Sequence, residues 1–187
     1  MKKLFAVALA TMVVAGLAFG QGMPTKGKMS LGIGGELAIP TASTFSDIAS
    51  TGFGGSGRFL YGLENNVTLY GTIGYVYFPA KQSSAGVDYK VTGLEFLAGG
   101  KYGFGQGFYG LAEIGICSFS LSYDITISTG VPGVPTYTQS GSESETKFML
   151  APGVGYAWKA LSVEAKYYLL DSDFSNLRFR VGYDFSL

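Results

Sequence analysis

The sequence predicts an all-β chain: an eight-stranded antiparallel up-and-down transmembrane β-barrel behind a cleaved signal peptide. Three observations predict it. Apolar residues alternate with small or polar ones over eight segments of the chain. The charges inside those segments all stand on the opposite parity to the apolar set. The connections between segments are alternately short and long.

The N-terminus reads as a separate unit. Lys2 and Lys3 form a basic start, Leu4 to Leu17 is apolar, and small residues follow in "AGLAFGQG", with cleavage expected after Ala18 or Gly20. This is the pattern of a secretory leader. Its apolar run is shorter than the about 20 residues that a membrane helix needs. The expected division is therefore a signal peptide over 1–20 and a barrel domain over 21–187.

The segments follow in order, each with period two. Segment 30–39 places Leu31, Ile33, Leu37 and Ile39 on one face, and 53–61 places Phe53, Phe59 and Tyr61. Segment 67–78 carries Val67, Leu69, Ile73, Tyr75 and Tyr77; 91–102 carries Leu94, Phe96, Ala98 and Tyr102. Next come 108–119 with Phe108, Ala112, Ile114 and Ile116, and 147–157 with Phe148, Leu150, Val154 and Tyr156. The last two are 161–169, with Leu161, Val163, Ala165, Tyr167 and Leu169, and 177–187, where Leu177, Phe179, Val181, Tyr183, Phe185 and Leu187 alternate.

Ten charged residues lie inside these segments and away from their ends: Glu36, Arg58, Glu95, Lys101, Glu113, Glu164, Lys166, Arg178, Arg180 and Asp184. All fall on the parity opposite the apolar set, which independent placement would produce roughly once in a thousand trials. They are five acids and five bases, so the face they share is neutral.

Short turns are expected at 62–66, 103–107 and 158–160, and longer polar connections at 40–52, 79–90, 120–146 and 170–176. An even number of strands with short turns at one end and long loops at the other fits an up-and-down barrel. The third long connection, "SYDITISTGVPGVPTYTQSGSESE", is expected either to extend its hairpin past the membrane or to be mobile.

Composition decides which face is inside. The chain is 14% charged, against about 25% in soluble domains, and carries 29 glycines and 15% aromatics. The charge-bearing parity is otherwise small, with Gly32, Gly34, Ala38, Gly54, Ser56, Gly62, Gly74, Gly99, Gly153 and Gly155. That suits a crowded eight-stranded lumen better than a water-facing surface. Aromatics gather near the segment ends, at Tyr61, Tyr75, Tyr77, Tyr102, Phe108, Tyr156, Trp158 and Phe185, where a lipid–water boundary would hold them. A soluble carrier barrel would turn the aromatics inward instead.

At these residues the sequence resembles the small eight-stranded bacterial outer-membrane barrels of the OmpA/OmpX kind, over residues 21–187. The "LAPGVGYAW…LSVEAKYYL" hairpin and the aromatic final strand "RFRVGYDFSL" carry the likeness. The resemblance implies residence in the bacterial outer membrane after export through the periplasm. It implies contact with membrane lipids and lipopolysaccharide, and handling by the barrel-insertion machinery. Leu187 stands where such strands usually end on an aromatic, and Pro152 falls mid-strand on the lipid parity, where a bulge is expected.

The stretch "TGFGGSGRF" contains G-x-G-x-x-G at Gly52, Gly54 and Gly57. A dinucleotide loop needs a strand before it and a helix after it. Here the second half of a strand follows, so no nucleotide site is expected.

The ten lumen charges are the candidate site. Isolated charges in a narrow interior are costly, so they should pair. Glu36 is expected near Arg58, Arg178 and Arg180 near Glu36 across barrel closure, and both arginines near Glu164 across the last hairpin. Pairing of this kind would fill the lumen rather than line a channel.

Enzyme chemistry is not expected. The sequence has no histidine, and its candidate carboxylates stand beside arginines. No metal or cofactor is expected either. Cys117 falls on the inner parity as a small core residue, and Asp171 and Asp173 read as a solvated acidic loop rather than a calcium site. With Lys2 and Lys3 set aside, 11 bases against 13 acids offer no footprint for nucleic acid. The expectation is a monomeric outer-membrane barrel in a structural or surface-interaction role, with a small porin and a soluble periplasmic ligand-binding barrel as alternatives.

Overall fold

A computed structural model describes residues 24–81, 87–127, 137–170 and 174–187, apart from the side chains of 87–89, 124–127 and 137–138. The leader expected over 1–20 lies outside the described residues. Eight strands and one short helix follow in order. They are β1 (Met29–Pro40), α1 (Ser43–Ile48), β2 (Gly52–Glu64), β3 (Val67–Pro79), β4 (Val87–Gly105), β5 (Phe108–Ile127), β6 (Tyr137–Trp158), β7 (Leu161–Tyr168) and β8 (Asn176–Ser186). Each strand pairs antiparallel with its chain neighbours, and β1 pairs β8 from Ser30↔Ser186 to Pro40↔Asn176, closing the ring. Closure removes every free edge within the barrel wall, which is the condition for sheet to stand in hydrocarbon. The architecture is that of a transmembrane barrel.

The three short turns stand where the sequence places them. β2 and β3 join at Asn65 and Asn66 beyond a bulge between Gly62 and Glu64. β4 and β5 join at Gln106 and Gly107, where Gly105, Gln106 and Gly107 all have positive φ (103°, 53° and 86°). Glycine is the residue that takes such angles without strain. Lys159 turns β6 into β7 with φ of 56°.

Two of the four long connections carry regular structure, the first against expectation and the third in one of the two forms expected of it, an extended hairpin. The first, 40–52, folds into α1 and buries Phe45. The third is mostly strand: β5 runs on to Ile127 and β6 starts at Tyr137, in unbroken register from Phe108↔Tyr156 to Ile127↔Tyr137. Segments bounded by lipid-face alternation end at 119 and restart at 147, because beyond the membrane the outward face turns polar with Ser118, Ser120 and Ser122. A ladder does not need lipid to continue, and Thr, Ile and Tyr favour it. β4 likewise begins at Val87, earlier than residue 91.

Pro152 sits without the bulge expected of it. Its register with Ala112 on β5 is continuous with the pairs on either side. The interruption falls on the other ladder, where β6 pairs β7 from Gly153↔Lys166 onward, and Leu150 meets Leu169 as an isolated bridge in the same register. The missing donor removes a bond and does not shift the strand.

The faces are as the charges dictate. Each outward apolar side chain of the eight segments is exposed or half-exposed, among them Leu31, Phe53, Ile73, Phe96, Ile116, Val154 and Phe179. The opposite parity is buried or half-buried. This rules out the soluble barrel with inward-facing aromatics. Gly52, Gly54 and Gly57 all lie inside β2, paired to β1 on one side and, from Phe53 onward, to β3 on the other. A Cβ on Gly54 would run into the Tyr75 carbonyl, so close approach of strands accounts for that glycine.

Candidate functional site

Each strand delivers its inward charge at a height set by register. Arg58 on β2 stands opposite Gly32 on β1, while Glu36 stands opposite Gly54. Arg58 is thus four residues from Glu36 along the wall, about 13 Å. The expected Glu36–Arg58 contact is not made. Arg58 instead extends across the lumen and donates from Nη1 to both oxygens of Glu164 on β7 (2.7 and 2.8 Å). It also donates from Nη2 to Glu113 Oε1 on β5 (2.7 Å) and from Nε to Thr72 Oγ1 (3.1 Å). One guanidinium therefore ties three strands of the far and near walls together.

Lysines complete this lower cluster. Lys101 Nζ lies 3.0 Å from Glu164 Oε1, and Tyr109 donates its hydroxyl to the same oxygen at 2.9 Å. Lys166 donates to Glu113 Oε2 (3.1 Å) and to Tyr168 Oη (2.7 Å). Glu164 faces Arg180 in register, but its oxygens are taken by Arg58, Lys101 and Tyr109.

A second cluster lies toward the loop end. Arg178 pairs with Glu95 through both terminal nitrogens (2.7 and 2.5 Å) and lies 3.5 Å from Glu36, while its Nε donates to Asn176. Glu36 accepts from Ser56 at 2.7 Å, and Ser56 in turn accepts from Arg180 Nε at 3.0 Å. Arg180 itself is 3.8 Å from Glu36, as expected across closure. Lys166, 3.8 Å from Glu36, joins the two clusters. Nine of the ten charges thus belong to one connected set, all of it buried. Asp184 is the exception. It is half-buried opposite Gly32, and its Oδ1 has no hydrogen-bond partner among the described residues.

Tyrosines missing from the expected site insulate these cations. The Arg178 guanidinium stacks 3.9 Å above the Tyr168 ring, Arg58 lies 4.8 Å from Tyr70, and Lys101 lies 4.8 Å from Tyr109. A cation over a ring face in a dry site gains more than it would in water. Strand parity alone was enough to find them, since Tyr70, Tyr109 and Tyr168 all share the face of the charges.

Above the charges the interior turns apolar. Phe45 of α1 packs edge-on against Phe78 of β3 at 4.8 Å and against Phe174 at 5.4 Å, and Phe174 stacks on Phe119 of β5 at 5.4 Å. Met149, Val76 and Ala38 fill in below them. Cys117 is buried at this boundary, as expected, with Sγ 3.8 Å from Glu95 Oε1. Phe45 gave no periodic signal, being one aromatic in the polar run "TASTFSDIAS". Asp171 and Asp173 lie outside the described residues.

Neither a family model nor a curated protein matches the sequence. Solved structures do match its fold. The crystal structure of Ail, the attachment invasion locus protein of Yersinia pestis, gives a TM-score of 0.61 at 16% identity, over 87% of this chain and 100% of that one. Ail in complex with the heparin analogue sucrose octasulfate gives 0.60 at 15% identity over the same shares. Neisserial surface protein A gives 0.46 at 10% identity, over 85% of this chain and 97% of that one. At such identities the likeness to Ail is one of fold: this chain has the fold of the small eight-stranded outer-membrane barrels.

Proposed function

We propose that this protein is an integral barrel of the bacterial outer membrane whose lumen does not conduct. Its work is done by the shell and the outer surface, in bracing the envelope or contacting lipopolysaccharide and other surfaces. The observation that carries this reading is the Arg58 guanidinium, bonded at once to Glu113 and Glu164 on other walls, beneath the Phe45–Phe78–Phe174 cap. A conducting pore lines its path with groups that ions can enter and leave. Here nine of the ten charged groups are engaged with one another in one buried set.

The reading includes removal of residues 1–20 on export, delivery by the barrel-insertion machinery and a monomer in the membrane. It assigns no catalytic step, for the sequence offers no histidine as an acid–base group. Planar-bilayer recording of the purified protein is the test. Silence is expected. Discrete conductance steps that change in Arg58→Ala would overturn the closed lumen in favour of a small pore. Fractionation tests the location separately, with recovery from the outer membrane only by detergent expected.

A further inference from the structure

We infer that the outer mouth of the barrel holds a site for a single-tailed cationic amphiphile. The hydrocarbon tail lies between α1 and the inner face of β4–β6, and the ammonium head meets Glu143. The inference holds whether or not the lumen conducts.

Two adjoining cavities, of about 240 and 360 Å³, share Ile48, Val91 and Leu121 as walls. One closes on Phe78 and Ala80, and the other passes Phe119 and Phe174 and opens beside Glu143 and Glu145. Volumes of this order suit one small molecule, which sites of about 300–1,000 Å³ hold. A folded partner would instead need about 800 Å² of surface on each side. Ile48 is half open although it stands on a loop helix above the lumen, away from the outward face of the strands. An aliphatic side chain left open beside an apolar cleft is surface a hydrocarbon tail would cover.

Charge selects the head group. Register places Glu145 opposite Phe119 and Glu143 opposite Leu121, so both acids rise on the inner face directly across from the apolar wall. Glu145 is matched by Lys147 at 3.3 Å, and that lysine also lies 4.6 Å over the Phe174 ring. Lys81, on the helix side, gives its ammonium to the Ser46 carbonyl at 2.9 Å. Glu143 is exposed and has no ion pair among the described residues. Among the described residues the cleft thus ends in one uncompensated carboxylate, complementary to an ammonium and repulsive to a sulfate or phosphate.

The test uses the full barrel in phospholipid nanodiscs with labelled Ile, Leu and Val methyls. Decyltrimethylammonium is titrated below its micelle concentration, with decyl sulfate and tetramethylammonium in parallel. Saturable shifts at Ile48, Val91 and Leu121 are expected with the decyl ammonium, and affinity about ten-fold weaker for the sulfate. Glu143→Gln, a change at an exposed position that leaves the barrel intact, should erase that preference. Leu121→Trp should block both decyl ligands. Equal affinity for the two head groups, an unchanged preference in Glu143→Gln, or shifts confined to lipid-face methyls such as Ile73 would each overturn the site.

Discussion

Arg58 on β2 and Glu113 on β5 meet inside the barrel, Nη2 to Oε1 at 2.7 Å, with neither side chain reaching solvent. Register alone would not bring them together, since β3 and β4 lie between their strands in the wall. The contact exists because an arginine is long enough to cross the lumen, where glycines on the inner face leave room for long side chains. Gly34, for example, is overlain by the guanidinium of Arg180.

Arg58→Ala would leave Glu113 and Glu164 in a dry site with only lysines to balance them. Removing one member of a buried pair typically costs about 3–5 kcal/mol, because the survivor remains uncompensated. Loss of that order is expected in reversible urea unfolding of the barrel in lipid. A change below about 1 kcal/mol, the range of exposed pairs, would show that the network is wet and not load-sharing.

Ile73→Arg tests the other face. Ile73 stands midway along β3 with its side chain outward and half exposed. An arginine at the bilayer midplane costs about 2–4 kcal/mol in barrels of this type. Impaired assembly is expected, seen as loss of the folded band on an unheated gel. Normal assembly would place the lipid somewhere other than on this face.

These two substitutions also mark what was legible in the sequence. The wall was readable because strand period is exactly two residues per repeat and lipid contact leaves no outward position free to be charged, so Ile73 and Arg58 declare their faces from parity alone. The partner of Arg58 was not readable. Pairing across a lumen depends on how far each strand is staggered around the ring, and local alternation carries no record of that stagger. Glu36 looked nearest to Arg58 because their strands are adjacent, yet register sets them four residues apart. Phe45 failed for a different reason: a six-residue helix is too short to show a 3.6 period, and one buried ring in a polar run has no pattern to join.

Phe45→Ala should separate the cap from the wall. The ring sits between Phe78 and Phe174, but α1 is held to the rest by few backbone bonds, among them Lys81 N–H to the Ile48 carbonyl at 3.1 Å, and its own turns are closed by Ser46 N–H to the Ala42 carbonyl at 2.8 Å and Ala49 N–H to the Phe45 carbonyl at 2.9 Å. Loss of the ring is expected to open this unit locally. Hydrogen exchange should quicken at the Ser46 and Ala49 amides while protection along β1–β8 stays as before. Equal loss of protection in both would make α1 part of the barrel's cooperative core.

Pro152→Val tests the break between β6 and β7. Leu150 and Leu169 exchange both backbone bonds, N–H to carbonyl at 3.0 and 2.8 Å. Amides on a strand point alternately to either side, so residue 152 faces β7 as Leu150 does, two positions further along the same register. Its partner there would be the Tyr167 carbonyl, and proline has no proton to offer it. Valine restores the donor, keeps an apolar side chain on the outward face and suits an extended backbone. One added ladder bond contributes about 0.5–1.5 kcal/mol. Unfolding in lipid should therefore need more urea, and a new, slowly exchanging amide should appear at position 152. A fast amide there, or a less stable barrel, would mean that the ring of the proline itself holds β6 in place and that the gap in the ladder has another cause.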